Sequence, residues 1–254
     1  MRNTLLVLFL FLACSVCYAQ DALFTTEKTL ARKGIIIAAN GDMDFPGGDM
    51  AKRFGTSYRV GGALMYKTQK NWMYGLKCDY LFGSKIKEDS LLINILDPTQ
   101  QLISTDGQRL NYGKFERGVV IGVQGGKTFN ISSRNADNGI LVMTGLGFIQ
   151  HKIKIFDKTA SIPQIAKDYV KGYDRLTNGW YIEQFVGYSQ FSKNSLINFY
   201  IGADLLAGFT KGRRDFLYDV MRPDDKARID LLFGIRAGWY IPIFKRKSEE
   251  LFFE

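Results

Sequence analysis

The sequence predicts an all-β fold, an eight-stranded antiparallel transmembrane β-barrel with short turns at one end and long loops at the other. Three observations predict it. Apolar and polar residues alternate with a period of two over stretches longer than ordinary strands, such as 229–243, 197–209 and 72–83. Eight alternating segments occur along the chain, and their connections are alternately short and long. The face opposite each apolar face carries mainly glycines and isolated charges.

The last long segment, 229–243, shows why the apolar face is assigned to lipid. Its odd positions are all apolar, whereas its even positions include Asp230, Arg236 and several glycines. A soluble barrel would need a water-facing side rich in Lys, Glu, Thr and Ser, but small residues and opposite charges suit a packed interior. Aromatic residues near both ends of segment 72–83, such as Trp72 and Tyr80, fit the girdles of a membrane barrel.

The N-terminal residues have the pattern of a secretory signal peptide, predicted over 1–19. Arg2 precedes a short apolar run at 5–13, and small residues lead up to cleavage after Ala19. A weak lipoprotein-type box ending at Cys14 is the alternative processing site. We therefore expect a barrel over 20–244 and a C-terminal tail over 245–254.

Composition excludes several other classes of protein. Beyond the signal peptide the only cysteine is Cys78, so no internal disulfide framework is possible. The net charge of +9 permits anionic partners but identifies none. The stretch GVQGGKT at 122–128 imitates a phosphate-binding loop, yet Ile121 stands where that loop needs a glycine. We expect no nucleotide, no nucleic acid, no cofactor and no metal.

Each strand is assigned to a stretch in which apolar and polar residues alternate, and each connection is assigned to the residues between two such stretches. Short links fall near 69–71, 133–135 and 192–194, and long ones cover 42–56, 85–114, 152–178 and 210–227. The predicted strands are 34–41, 57–67, 72–84, 115–129, 139–151, 179–191, 196–209 and 228–243. An open sheet edge in hydrocarbon would leave backbone groups unpaired, so the sheet must close. This plan places the chain in a Gram-negative outer membrane, with both termini and the short turns in the periplasm.

An eight-stranded barrel is filled by side chains, so the inward charges must be accommodated in a narrow lumen. Three are positive and five are negative, and mutual pairing is expected because an isolated buried charge is very costly. A salt-bridged plug is the main interpretation, and a proton or ion path is the alternative. The predicted lumen charge network consists of Arg59, Lys77, Asp79, Glu116, Glu183, Asp204, Asp230 and Arg236.

Two loop segments suggest local features. The acidic stretch 40–49 lacks the spacing of a calcium loop, so a polar turn is predicted, with a calcium site as the alternative. In 161–172 apolar residues recur with helical spacing, which predicts an amphipathic helix that covers the barrel mouth or contacts a partner. The candidate partner contacts are Ile162, Ile165 and Tyr169 in this loop, and Leu251, Phe252 and Phe253 in the tail.

Several sequence stretches resemble the small outer-membrane β-barrel proteins of the Bacteroidota. They are FPGGDMAKRFG (45–55), NGWYIEQFVGY (178–188), GFTKGRRDFLYDVMRPDD (208–225) and GWYIPIFKRKSEELFFE (238–254). The resemblance implies a non-enzymatic subunit of an outer-membrane complex, an accessory of β-barrel assembly or of type IX secretion. Its expected partners are outer-membrane lipid, including lipopolysaccharide, and other outer-membrane or periplasmic proteins.

Two other functions stay open from the sequence. Some eight-stranded outer-membrane barrels are lipid-modifying enzymes that use a histidine with a serine and a carboxylate. His151, the only histidine, could act in this way with Ser161 and Glu183, although nothing in the sequence brings the three together. A soluble lipocalin-like binder is the third interpretation.

Overall fold

A computed structural model describes residues 31–131, 135–157, 162–165, 168–192 and 197–244. The described residues form ten strands, eight of them long. The long strands are β1 (Gly34–Gly48), β2 (Ser57–Lys67), β3 (Trp72–Gly83), β6 (Tyr112–Asn130), β7 (Gly139–Asp157), β8 (Thr177–Gln190), β9 (Phe199–Gly212) and β10 (Ala227–Phe244). A small hairpin, β4 (Leu102–Ile103) and β5 (Arg109–Leu110), lies in the connection between β3 and β6.

The eight long strands close into a barrel in the order β1-β10-β9-β8-β7-β6-β3-β2. Every neighbouring pair is antiparallel, and the first strand closes the ring by pairing with the last, from Gly34 opposite Phe244 to Gly48 opposite Asp230. Closure leaves no long strand with an unpaired edge. The predicted fold class is confirmed.

Burial alternates along the strands as the period of two predicts. In β6, Gln124 and Gly126 are buried, whereas Ile121 and Val123 are exposed on the outer wall. The stretch GVQGGKT is therefore an ordinary part of a barrel strand. Gly122 is needed for space, because a Cβ at this position would collide with the hydroxyl of Tyr181.

The outer wall carries a continuous apolar belt with aromatic residues at both borders. Trp239, Tyr74 and Tyr188 lie toward the short-turn border, and Trp180 and Tyr58 lie toward the long-loop border. Exposed aliphatic residues of the belt include Ile37, Leu64, Leu76, Ile121, Leu146, Val186, Ile201, Leu205 and Ile235. Such a surface suits hydrocarbon and would be unstable in water.

The belt has two unlike halves. On β10, β1, β2 and β3, which we call the apolar half, the outward positions carry no charged residue. On β6 to β9, which we call the mixed half, the belt includes the polar pair Thr144 and Gln184, joined by a hydrogen bond of 2.8 Å. The rim of the mixed half toward the long loops is basic, with outward Arg117, Lys152 and Lys211.

Strand β1 is longer than predicted. The alternation continues through the acidic stretch 40–49, so Asn40 to Gly48 belong to the barrel and do not form the predicted polar turn. Asp42 and Asp44 point into the lumen and are buried there. The strand ends at Gly48, whose φ of +61° favours glycine.

The loop after β7 also differs from the prediction. The described residues form two 3-10 helices, Pro163–Ile165 and Tyr169–Gly172, in place of the single amphipathic helix predicted over 161–172. Ile162 is buried beneath them, in the core cluster at the barrel mouth. Of the apolar residues at helical spacing, Ile162 fills the mouth, Ile165 packs against the same cluster and Tyr169 is exposed.

Further 3-10 helices lie in two of the other long connections, at Met50–Lys52 and Asp89–Ile95. Their buried residues, Met50, Leu91 and Leu92, join the same cluster as Ile162. Within the described part of the chain, no helix combines the length and the apolar character needed to cross a bilayer.

Candidate functional site: the lumen and the long-loop mouth

The middle of the lumen contains a layer of charged side chains centred on two arginines. Arg59 on β2 makes a bidentate contact with Asp44, with Nε–Oδ2 and Nη2–Oδ1 distances of 2.7 and 2.9 Å. Its guanidinium also reaches across the lumen to Glu183 on β8 at 2.9 Å and to Asp204 on β9 at 2.6 Å. Arg59 is fully buried, and charge-assisted contacts of this kind are what make such burial tolerable.

Arg236 on β10 is the second centre of this layer. Its Nε lies 2.8 Å from Oδ1 of Asp42, the residue directly opposite it on β1. Its Nη2 lies 2.9 Å from Glu183, and its Nη1 lies 3.3 Å from Asp204. The two arginines thus share the same two carboxylates, which joins opposite sides of the barrel.

Lys77 on β3 completes the layer. Its ammonium lies 2.6 Å from Glu183 and 2.9 Å from Asp79. Asn40 donates a hydrogen bond of 3.1 Å to the other oxygen of Asp79. All three cations of the layer come from the apolar half of the barrel.

Six of the eight predicted lumen charges meet in this layer: Arg59, Lys77, Asp79, Glu183, Asp204 and Arg236. The other two lie nearer the long loops, where Glu116 accepts a hydrogen bond from Ser57 and Asp230 contacts His151. Sequence reasoning missed Asp42 and Asp44. Their spacing of two residues, continuing the alternation of β1, was the signal that could have identified them.

Apolar layers enclose the charged layer from both sides. Toward the short turns lie Ile36, Met65, Met73, Leu141, Phe185, Tyr200 and Tyr240, and toward the long loops lie Leu81, Val120, Ile149, Leu206 and Leu232. Water is thereby kept from the charges, which strengthens each ion pair and makes the loss of any partner costly. The arrangement is that of a rigid, salt-bridged plug.

His151 lies on the long-loop side of the charged layer, with 1% of its surface exposed. Its Nε2 is 2.9 Å from Asp230 Oδ2, and Thr210 donates a hydrogen bond of 2.5 Å to the same oxygen. Phe54 packs edge-on against the imidazole ring, with centroids 5.5 Å apart.

This environment differs from the one a lipid-modifying enzyme needs. Glu183, one proposed partner of His151, belongs to the charged layer, where Lys77 and the two arginines engage it. Ser161, the other proposed partner, lies outside the described residues. The histidine that catalysis would require is buried inside the barrel and its described partners are Asp230 and Phe54. Nor do the described residues contain a group of His, Cys, Asp or Glu able to hold a metal ion.

Ion pairs tie the long loops together at the barrel mouth. Glu88 binds Arg53 at 3.0 Å and Arg175 at 2.9 Å, joining three different connections. Arg175 also pairs with Asp219 of the connection between β9 and β10. These contacts line a cavity of about 620 Å³ that opens at the mouth.

A further ion pair holds the connection between β9 and β10. Arg214 makes a bidentate contact with Asp174, at 2.5 and 2.7 Å. The hydrogen bonds that Arg214 donates to the Asp174 carboxylate raise the pKa of Arg214 above its ordinary value. This ion pair holds the loop against Asp174, shortly before the start of β8.

Large apolar side chains nevertheless remain exposed on these fixed loops. Met221 is 70% exposed and Tyr169 is 63% exposed. The others of this set, which we call the mouth patch, are Ile93, Phe216, Tyr218 and Val220. Asn94 donates hydrogen bonds to the carbonyls of Tyr218 and Asp219, which places Ile93 beside the β9–β10 loop.

The candidate partner contacts are therefore placed differently from one another. Tyr169 is exposed in the mouth patch, Ile165 is half-buried and Ile162 is buried in the core cluster. Leu251, Phe252 and Phe253 lie outside the described residues, as does the rest of the tail.

Comparison with solved structures finds other barrels at low sequence identity. Ail, the attachment invasion locus protein of Yersinia pestis, shares 10% identity at a TM-score of 0.41, over 83% of this chain and all of Ail. Neisserial surface protein A shares 8% identity at a TM-score of 0.40, over 80% of this chain and 95% of its own. The outer membrane protein OprG from Pseudomonas aeruginosa shares 13% identity at a TM-score of 0.35, over 84% of this chain and 98% of its own.

No protein-family model matches the chain, and no curated protein matches it either. At this level of similarity the solved structures support no statement about ligand or activity. The assignment of the barrel rests on the strand pairing and the closed ring described above.

Proposed function

We propose that the protein is a non-enzymatic subunit of a complex in the outer membrane of a Gram-negative bacterium. In this proposal the short turns and both termini lie in the periplasm, and the long loops face the exterior. The complex would serve β-barrel assembly or type IX secretion, as the resemblance to Bacteroidota barrels implies.

The membrane placement is supported by the apolar belt and its aromatic borders. Belt residues such as Leu76 and Leu146 are more than half exposed on the outer wall. The lumen is filled by the charged layer and its apolar neighbours, so neither a pore nor a lipocalin-like ligand cavity is needed to explain the interior.

The observation that carries the subunit role is the mouth patch. Its residues lie beyond the belt, on loops that would be in water, where large contiguous apolar surfaces are unfavourable and mark interaction sites. The ion pairs of Glu88 and Asp174 hold these loops in place, so little conformational entropy would be lost when a partner binds. Exposed aromatic residues and methionine are also the side chains enriched in protein interfaces.

Affinity purification of the full-length protein from native membranes in mild detergent tests this proposal. We expect partner proteins to co-purify with the wild type and to be lost from a Phe216→Glu/Met221→Glu variant. Lys226→Glu, an exposed change in the same loop, is the matched control and should retain them. Heat-modifiable gel mobility shows that each variant forms the barrel, and mass spectrometry identifies the complex.

Recovery of the wild type as a clean monomer after mild extraction would contradict the subunit role. Deletion of 245–254 is an independent test of the tail, since Leu251, Phe252 and Phe253 remain candidate contacts on the periplasmic side. Loss of partners only on this deletion would move the interface from the mouth patch to the tail.

A further inference from the structure

We infer that the rim of the mixed half binds the phosphoryl groups of lipopolysaccharide. This inference uses only the outer-membrane placement within the proposed function and is independent of the subunit role. The site, which we call the basic rim, consists of Arg117, Lys152, Lys154, Lys211 and Arg213 on the outer wall of β6 to β9.

The strand register makes these residues neighbours. Arg117 on β6 lies directly opposite Lys152 on β7. Asn178 on β8 lies opposite Lys211 on β9, and it accepts a hydrogen bond of 2.5 Å from Nε of Arg213. The basic rim therefore spans four strands, with cations on β6, β7 and β9, the uncharged Asn178 on β8, and Arg213 directly after β9.

The cations of the basic rim are poorly neutralised by the protein itself. Lys152 comes no closer than 3.9 Å to a carboxylate, that of Asp174, which already makes the bidentate contact with Arg214. Within the described residues, Lys154 and Lys211 have no carboxylate within 4 Å, and the same holds for Arg117 and Arg213. Like charges directly opposite one another destabilise a sheet, so the pairing of Arg117 with Lys152 has a cost that a bound anion would relieve.

The height of the basic rim matches the level of lipid headgroups. Trp180 and Phe209 lie opposite each other one step toward the belt from Asn178 and Lys211, and Trp180 is 72% exposed. Aromatic side chains of this kind mark the membrane–water interface, and two residues along a strand correspond to roughly 6–7 Å. The amino and guanidinium groups thus lie just beyond the hydrocarbon.

The outward strand positions of the opposite wall carry no such cluster, and the exposed cations at that side, such as Lys52 and Lys85, lie in the loops. At the same end of the apolar half, the outward residues are Phe45, Tyr58, Phe82 and Ile229. A requirement shared by all headgroup contacts would produce a basic ring around the barrel. A cluster on one side instead fits a headgroup carrying several phosphoryl groups on one rigid saccharide, and lysine and arginine are the natural ligands of phosphate.

The test uses the purified full-length barrel and three probes: phosphorylated lipid A, the same lipid A without phosphates, and vesicles of phosphatidylglycerol. The variant Arg117→Gln/Lys152→Gln/Lys211→Gln removes three rim cations. The control Lys52→Gln/Lys85→Gln/Arg222→Gln removes three exposed cations elsewhere at the same end. Binding is measured by fluorescence titration, and the variant's barrel formation by heat-modifiable mobility.

We expect the rim variant to bind phosphorylated lipid A roughly a hundredfold more weakly, at about fivefold per removed cation. The control should bind as the wild type does, and removal of the phosphates should weaken wild-type binding to the level of the rim variant. Equal binding by the rim variant and the control would overturn the inference. Equally tight binding to phosphatidylglycerol would overturn the assignment to lipopolysaccharide.

The two proposals can fail separately. The rim variant leaves the mouth patch intact and should still co-purify protein partners if the subunit role is correct. The mouth-patch variant leaves the basic rim intact and should still bind phosphorylated lipid A.

Discussion

The two halves of the barrel wall place their charges in opposite ways. On the apolar half every charged strand residue belongs to the inward set, including Asp42, Arg59, Lys77 and Arg236. On the mixed half, charges such as Lys152 and Lys211 also face outward, around a polar pair within the belt. One alternating pattern thus builds both an uncharged outer wall and an outer wall that carries a cluster of cations. The difference lies in a few outward strand positions, such as Arg117, Lys152 and Lys211.

The largest expected effect comes from the layer that joins the two halves. Arg59→Met removes the partner of Asp44, Glu183 and Asp204, leaving buried carboxylates uncompensated, and should lower the free energy of unfolding by about 3–5 kcal/mol. Urea unfolding in lipid vesicles, followed by tryptophan fluorescence, measures the change. Arg117→Met at the outer rim is the control and should cost less than about 1 kcal/mol. Similar losses for both would mean that the two halves are not joined through the charged layer.

A lysine in the belt tests whether both halves face hydrocarbon. Leu76→Lys on the apolar half and Leu146→Lys on the mixed half should each cost about 2–4 kcal/mol of unfolding free energy, because the ammonium would enter the bilayer. The same urea titration applies. Tyr58→Lys, at the border, is the control and should cost no more than about 1 kcal/mol. A belt lysine tolerated on one half alone would show that this half does not contact lipid tails.

The polar pair of the mixed half gives a finer test. Thr144→Val alone leaves Oε1 of Gln184 without its hydrogen bond and should cost about 1–3 kcal/mol. The double variant Thr144→Val/Gln184→Leu removes both groups and should be close to neutral, since an apolar pair suits hydrocarbon. If the single and double variants lose the same stability, the pair contacts something other than lipid.

The smallest effect is expected at the short-turn end, where Asp137 of the β6–β7 turn joins Lys67 of the apolar half. Burial raises the pKa of Asp137, but the hydrogen bond from Lys67 at 2.8 Å and the contact with Arg32 outweigh it and leave the pKa below its ordinary value of 3.8. A depressed pKa means that the stabilisation is present above pH 3.8 and is lost as the pH falls below it. The contribution of the Asp137 carboxylate to the free energy of unfolding should therefore be constant between pH 8 and pH 5. It should decline in stronger acid.

The control for this pH dependence is Asp137→Asn, which should abolish the acid-dependent component. A wild type whose stability already falls between pH 7 and pH 5 in an Asp137-dependent way would contradict the depressed pKa.

Much of the barrel could be predicted because the inward or outward direction of a strand residue follows from the local alternation of the sequence. Alternation places each residue of β3 or β10 inside or outside without any knowledge of its partners. The end of β1 was missed although the alternation continues there, since Asp42 and Asp44 followed by Pro46 and two glycines look like a polar turn. Only Arg59 and Arg236, far away in the sequence, make those carboxylates stable inside the barrel.

The candidate sites depend even more on distant contacts. His151 was visible in the sequence, but its partner Asp230 is 79 residues away. Of the two candidate partners, Glu183 belongs to the charged layer and Ser161 lies outside the described residues. The loop containing Ile162 has helical spacing, yet its described residues form two 3-10 helices, with Ile162 buried in the mouth and Tyr169 exposed. The periodicity of a sequence shows which residues could share an apolar face. The contacts of that face depend on residues far away in the sequence.

The seam between the first and last strands has a consequence for assembly. The barrel can close only when β1 pairs with a strand about 200 residues later in the chain, a contact with a high entropic cost of loop closure. At this seam Asp42 faces Arg236, whose neighbours on the same face, Gly234 and Gly238, carry no charge to replace it. A slip of one residue would turn one of the two charges toward lipid, and a slip of two would leave Asp42 opposite a glycine. The native alignment is therefore favoured because it is the one that pairs Asp42 with Arg236 inside the barrel.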